Sequence, residues 1–441
     1  MKQPGSTEEA LQIIISFDTL SPDKQVEAFA KLSAEAREGL IEVSASPGPI
    51  MRRVSEEEML VTIKELGLEN APALIALSTG RQLRYMLDVD LWKNNMFNAK
   101  SALRWLAAIV NAGEEKIVQL AQVADRELLL TALSYFVKVR LRDPDIDLLE
   151  QQDSLPLFTL DDTFYVEFRH PDVEGYVRPL LETLFHWDVN FYFRLMEDVV
   201  YSVRTDNEEM ALKWRRARMA EHGLPDFEEA LGIYQYLRRG ALEQGLLSGR
   251  RVDDDDVGSE RRLLRYPLKV ISVDSVFRRS LDAIADQVEL DRLVTELAHL
   301  ANKVLMADSM DPGSSDDLRS SLKKVGGYIN IALEESCGDD AATAAGLLMS
   351  NHAELLFRRG FSLILDLRKE AHGFIRGYEG GIENLGHPLA ALVEGLLRTR
   401  PVYACNAMGE KGERDFEHIE DIAGIRKLMD RNAFEDRWEA V

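Results

Sequence analysis

Cysteine is almost missing from this chain of 441 residues: Cys337 and Cys405 are the only two. Two thiols make neither a disulfide framework nor a cysteine-based metal site, and they fit a reducing cytoplasm. Long apolar runs are missing too. No stretch approaches the roughly 20 apolar residues that a membrane span needs. The N-terminal segment has Lys2 but no apolar core of signal-peptide length, since the run 13–17 is too short. A cytoplasmic protein without a membrane span is expected. Basic residues are also in deficit, 53 against 76 acidic, for a net charge of −23. A duplex-binding protein needs a basic face to release counterions, so nucleic acid is not an expected partner. Arg215, Arg216 and Arg218 beside Trp214, and the pair Arg358 and Arg359, read as solvated or salt-bridged helix faces. There is no Gly-x-Ser-x-Gly, no phosphate-binding loop, no Gly-x-Gly-x-x-Gly after a strand and no His-Glu-x-x-His. No catalytic or cofactor-binding residue can therefore be assigned, and no cofactor is expected.

Helical periodicity is what the chain has in abundance. Across 77–139, Leu103, Leu106, Ala107 and Val110 fall at i, i+3, i+4 and i+7, as do Ile117, Leu120, Ala121 and Ala124. Leu129, Ala132, Leu133, Phe136 and Val137 repeat the pattern. Gly113 stands where the first of these helices should end and Asp125 where a cap should start the third. Breaks this short are expected to set successive helices side by side, with Trp92 and Trp105 in the seams.

The first hundred residues repeat a short phrase: Leu20-Ser21-Pro22, Leu32-Ser33-Ala34 and Leu77-Ser78-Thr79, each a leucine and a capping residue before a helix start. Ser55 with Glu58 predicts a capping box, and Gly67 a helix end. Short helices at this density predict a superhelical array. The phrase resembles the helical repeats in the cytoplasmic N-terminal domain of magnesium transporters of the MgtE type, over residues 15–140. That likeness implies an array without transport, because no pore is present. A second resemblance rests on Tyr85-Met86-Leu87-Asp88-Val89-Asp90-Leu91-Trp92, on 161–168 and on Phe357-Arg358-Arg359-Gly360-Phe361. These phrases are similar to those of an uncharacterised bacterial family of unknown function, which implies no activity and no site residues.

Between 142 and 179, Pro144, Pro156, Pro171 and Pro179 are expected to interrupt helices, and Thr163-Phe164-Tyr165-Val166-Glu167-Phe168-Arg169 reads as a strand. Aromatic helices then cover 177–203, and two more cover 207–221 and 226–239. Four adjacent aspartates, Asp253 to Asp256, centre a segment without periodicity. Further helices are expected near 267–286, 289–306, 316–335, 340–349, 352–375, 387–399 and 415–429. The fold class is mainly all-α, with one small β element near 157–170. It divides into an array domain 1–142, a middle region 143–240, an acidic flexible linker 241–262 and a C-terminal helical domain 263–441.

For metals, the spacing Glu-x-x-His occurs at Glu167 and His170 and at Glu296 and His299. Paired on bundle helices, this spacing holds dinuclear centres. Only Glu296 and His299 sit on one helix face, because i and i+3 diverge on a strand. They are the sole metal candidates, and no metal is expected. Glu182 and His186 share a face as a hydrogen-bonded structural pair, and the glycine pairs Gly326-Gly327 and Gly380-Gly381 serve packing or turns. Two function classes stay open. One is a helical scaffold or adaptor that binds a protein partner. The other is an enzyme or small-ligand receptor with a pocket between the middle and C-terminal helices.

Overall fold

The computed structural model describes residues 17, 20–44, 46–147, 151, 154–238, 240, 274–378, 381–404 and 412–439. Among the described residues there are twenty α-helices and seven short strands, a mainly all-α fold. The chain divides into two compact units, 1–222 with 311–315, and 223–310 with 316–441. Of the residues 143–240 set apart above, 143–222 cluster with the first unit and 223–240 with the second. The acidic segment 241–262 and Cys405 lie outside the described residues.

The first unit opens with α1 (Pro22–Lys31), α2 (Ala34–Val43), α3 (Pro47–Met51), α4 (Glu56–Leu66), α5 (Pro72–Leu77) and α6 (Gly80–Asp90). It continues with α7 (Ala99–Asn111), α8 (Glu114–Val123) and α9 (Arg126–Phe136). From α1 to α8 each helix packs on the one two places along. Successive helices were expected to be the main partners. The apolar stripe of α6, with Leu83, Met86 and Leu87 buried, reaches both α4 and α8 instead.

The helix starts follow from local capping. Ser33 Oγ accepts the Ala36 N–H at 3.3 Å, and Ser55 Oγ accepts the Glu58 N–H at 3.2 Å. Glu58 does not close the expected box; its carboxylate pairs with the buried Arg37 guanidinium. A complete box forms at Thr79 and Gln82. In the third phrase, Ser78 therefore ends α5, and Thr79 is the cap of α6. Gly67 (φ 88°) ends α4, and Gly113 (φ 109°) precedes α8 in a conformation that suits glycine. Asp125 does start α9, yet its side chain makes no capping bond and accepts from Arg218 at 2.7 Å.

Ser78 also receives a buried ammonium. Lys116 Nζ donates to the Ser78 carbonyl at 2.7 Å, to its hydroxyl at 3.2 Å and to Gln119 Oε1 at 2.5 Å, all neutral acceptors. Desolvation lowers its pKa from 10.5 to about 8. The unfolded chain then binds more protons than the folded one between those values, so this group's contribution to stability rises with pH from about 8 to 10. Lys116→Met is expected to flatten that rise. Urea midpoints of both proteins at pH 7, 8.5 and 9.5 check it, and parallel profiles would contradict it.

After α9 the alternation Val137-Lys138-Val139-Arg140-Leu141 leaves the helix and forms β3 (Val137–Leu141). It is an edge of the antiparallel sheet β3-β5-β4, with β4 (Phe158–Thr159) and β5 (Phe164–Phe168), in the register Val139↔Val166↔Phe158. A two-stranded ribbon at Trp92–Lys93 and Met96–Phe97 lies earlier in the unit. The unit closes with α10 (Pro171–Trp187), α11 (Val189–Tyr201) and α12 (Arg204–Glu221). Neither proline stops α10. Pro171 occupies its first turn, where no N–H donor is required, and Pro179 lies inside it. Burial of Val173, Val177, Leu180, Leu181 and Leu184 outweighs the roughly 3 kcal/mol an internal proline costs. Both tryptophans lie in the interior, as expected. Trp105 is 1% exposed and donates to Asp90 Oδ2 at 2.6 Å, beside an apolar cavity of about 50 Å³.

The second unit comprises α13 (Phe227–Ala230), α14 (Val276–Asp282), α15 (Gln287–Ala307), α16 (Ser315–Cys337, from Asp316 on), α17 (Ala341–Ser350), α18 (Ala353–Gly377), α19 (Leu389–Leu396) and α20 (Ile419–Glu439). The helix expected over 226–239 shrinks to one turn and a 3-10 turn, Leu231–Tyr234. Gly232 is a poor helix former, and Ile233 and Tyr234 are buried in this turn. A two-stranded ribbon pairs Tyr403 with Arg414 where a loop was expected. One core runs through the unit, centred on α15, α16 and α18. Backbones touch where glycine leaves no side chain. A methyl on Gly327 would meet the Phe416 carbonyl at 2.5 Å, and one on Gly395 the Val402 carbonyl at 2.6 Å.

Candidate functional site

Three arrangements carry chemistry. The first is a set of exposed apolar side chains on the first unit. Asp188 Oδ1 accepts the Phe191 N–H at 3.0 Å and starts α11, which buries Tyr192, Leu195 and Met196. α12 buries Ala211, Arg215 and Met219 at four-residue intervals. Arg215 Nε donates to the Asp88 carbonyl at 2.6 Å, and Arg218 grips the Asp88 carboxylate at 2.6 and 2.8 Å. Two arginines of the sequence cluster are thus committed to the interior. The outward side of α12 presents Met210, Lys213, Trp214 and Ala217 to solvent. Sixteen large apolar side chains are exposed among the described residues. Seven of them lie between 187 and 214: Trp187, Val189, Phe193, Tyr201, Val203, Met210 and Trp214. They are gathered in one stretch of sequence, whereas exposed apolar residues scattered singly need no explanation.

The second is a buried ionic cluster in the second unit. Lys324 Nζ reaches Asp308 Oδ2 at 2.7 Å and Asp415 Oδ1 at 3.2 Å, while Arg400 Nε reaches Asp308 Oδ1 at 3.0 Å. Tyr234 donates its hydroxyl to Asp308, and the Arg400 guanidinium stacks 3.8 Å from its ring centre. Burial and the Asp308 charge hold the Tyr234 phenol far above its usual range, and burial also raises Asp415. Two carboxylates face two cations, so the cluster balances its own charge. That is the arrangement of a structural network.

The third joins Glu334 on α16 to His418 and Glu420 at the start of α20. Among the described residues these form the one group of three candidate metal ligands, with ligand atoms all within 4.8 Å of one another. Sequence reasoning passed it by, because 84 residues separate Glu334 from His418 and no local spacing connects them.

The residues singled out from spacing lie elsewhere. Glu296 pairs with Arg292, accepts the Ala353 N–H at 2.9 Å and stands 3.4 Å from His352 Nδ1. It thereby caps α18. His299 stands against Gly223. Glu167 is exposed on β5, with Arg140 at 3.7 Å, and His170 is exposed just before α10. Arg359 pairs with Glu335, and Arg358 Nε donates to the Gln235 carbonyl at 3.3 Å.

A family model described as a family of unknown function (DUF6178) matches residues 15–439. The chain belongs to this family. The match agrees with the resemblance carried by Tyr85 to Trp92 and by Phe357 to Phe361. No curated protein and no solved structure matches the chain. Among the described residues, no helix of this family member is long and apolar enough to cross a membrane.

Proposed function

We propose that the chain is a cytoplasmic adaptor that holds a partner protein on the exposed apolar side chains of α11 and α12. The observation that carries this reading is the run of seven exposed apolar side chains from Trp187 to Trp214. Along α12 and its cap, Val203, Asn207, Met210, Trp214 and Ala217 follow one another at alternating steps of four and three, the seam on which a second helix lies. Ala217 is small and leaves room beside the Trp214 ring. Tryptophan and tyrosine are among the residues over-represented where binding energy concentrates. Exposed Arg204 and Lys213 flank this seam against one acid, Asp206. In a chain of net charge −23, the margin of the seam therefore departs locally from the acidic whole. The occupant it fits is an amphipathic helix with acidic residues beside its apolar stripe.

A photo-crosslinking amino acid at position 214, used in the native host, tests this. The expected product joins the chain to one other protein through an acidic amphipathic helix. A synthetic peptide of that helix should shift Trp214 emission to the blue, and Trp214→Ser should weaken its binding about 30-fold, as for a hot-spot loss of about 2 kcal/mol. A crosslink to a second copy alone, or peptide binding indifferent to Trp214→Ser, would overturn the reading.

A further inference from the structure

We propose that Glu334, His418 and Glu420 bind one divalent transition-metal ion, independently of the adaptor face. The argument starts from Asn330, which is 1% exposed and completely committed. Its Oδ1 accepts the Phe277 N–H at 3.1 Å. Its Nδ2 donates to Glu334 Oε1 at 2.7 Å and to the Glu417 carbonyl at 2.9 Å. An amide nitrogen carries two hydrogens, and both have acceptors. Asn330 therefore has none left for His418 Nδ1, although that atom lies only 3.2 Å away.

His418 Nδ1 also lies 3.0 Å from Glu334 Oε1. The tautomer that carries hydrogen on Nδ1 donates it to Glu334, whereas in the tautomer without it two lone pairs face each other there. A positive centre must lie between them, either a proton or a metal ion. The spacing admits a metal: bonds of roughly 2.1 Å at octahedral angles near 90° set two ligand atoms roughly 3 Å apart. Glu420 supplies the third donor. Its exposure leaves the remaining coordination positions open to water.

The surroundings fit a cation of this kind. Two carboxylates neutralise a dication, and one imidazole with two carboxylates favours Zn²⁺, Mn²⁺ or Fe²⁺ over ions that take oxygen ligands alone. The positive end of α20 opposes a cation, but Glu334 Oε2 accepts the Ile419 N–H at 2.6 Å and offsets it. Asn330 fixes the orientation of Glu334 as outer partners do in metal sites. A small cavity of about 30 Å³, with Lys323, Asn330, Glu417 and His418 in its wall, adjoins the cluster and has room for a water molecule.

The test uses the full-length protein, stripped with a chelator and titrated with Zn²⁺ and then with Co²⁺. One equivalent should bind at micromolar concentration or tighter, and Co²⁺ should give the visible absorption of a nitrogen- and oxygen-ligated site. Glu420→Gln alters an exposed side chain, so it should leave the circular dichroism of the metal-free protein unchanged and weaken binding at least tenfold. His418→Gln should abolish the Co²⁺ spectrum. No binding even at a hundredfold higher metal concentration, or binding that both variants leave unchanged, would overturn the proposal.

Discussion

Gly360→Ala is expected to destabilise the second unit by about 3 kcal/mol or more, although alanine is the better helix former. Gly360 sits in the middle of α18, where its Cβ would overlap the Tyr328 carbonyl oxygen and stand 3.1 Å from the Tyr328 Cα. Both groups are backbone, so no rotamer relieves the clash. The helices must separate, and the edge-to-face contacts of Tyr328 with Phe357 at 5.2 Å and Phe361 at 5.5 Å are lost with them. Helix propensity returns about 1 kcal/mol, less than the 1–3 kcal/mol or more of overpacking. Gly373 lies on the same helix with nothing within 4 Å of a built Cβ. Gly373→Ala should therefore gain up to about 1 kcal/mol. Urea denaturation of the two variants gives opposite signs if this account holds, and like signs if it fails.

Asp88→Ala should cost the first unit about 3–5 kcal/mol. The carboxylate of Asp88 is 2% exposed and takes both arms of Arg218, which also holds Asp125 at 2.7 Å. Removing the acid leaves a half-buried guanidinium short of a partner, and a broken buried pair is far more costly than one replaced whole. Asp88→Leu combined with Arg218→Met should therefore be more stable than Asp88→Ala alone. Chemical denaturation of the single and double variants checks this. A double variant no better than the single one would mean that the pair is not where the energy lies.

The parts of this fold legible in sequence were those set by local chemistry. Gly113 and Gly67 mark helix ends through a positive φ, and Phe164 to Phe168 forms a strand through its aromatic and β-branched content. Proline misled. Pro171 and Pro179 read as breaks, but position within a helix and burial of its apolar face decide the outcome. Arg215 and Arg218 looked like a solvated surface until Asp88, some 130 residues earlier, was seen beside them. The same limit hid the cluster of Glu334, His418 and Glu420. Glu-x-x-His spacing pointed to Glu296, but its carboxylate is occupied by Arg292 and the first turn of α18. The exposed seam on α12 could have been found: Met210 and Trp214 stand apart from the buried positions Ala211, Arg215 and Met219.

Residues 311–315 fold with the first unit, and this fixes when that unit can be finished during synthesis. Lys64 Nζ bonds Asp311 Oδ2 at 3.0 Å, and Gly313 lies against Leu60 closely enough that a built Cβ would stand 3.1 Å from its Cγ. A ribosome that has just made His222 still has some 90 residues to add before these partners exist. At roughly 5–20 residues per second this is a wait of several seconds. During it, Lys64 has Asp90 alone among the two acids it holds in the finished fold. A gene fragment that stops at residue 222 never leaves that interval. Its product stays in a state that the full-length chain only passes through.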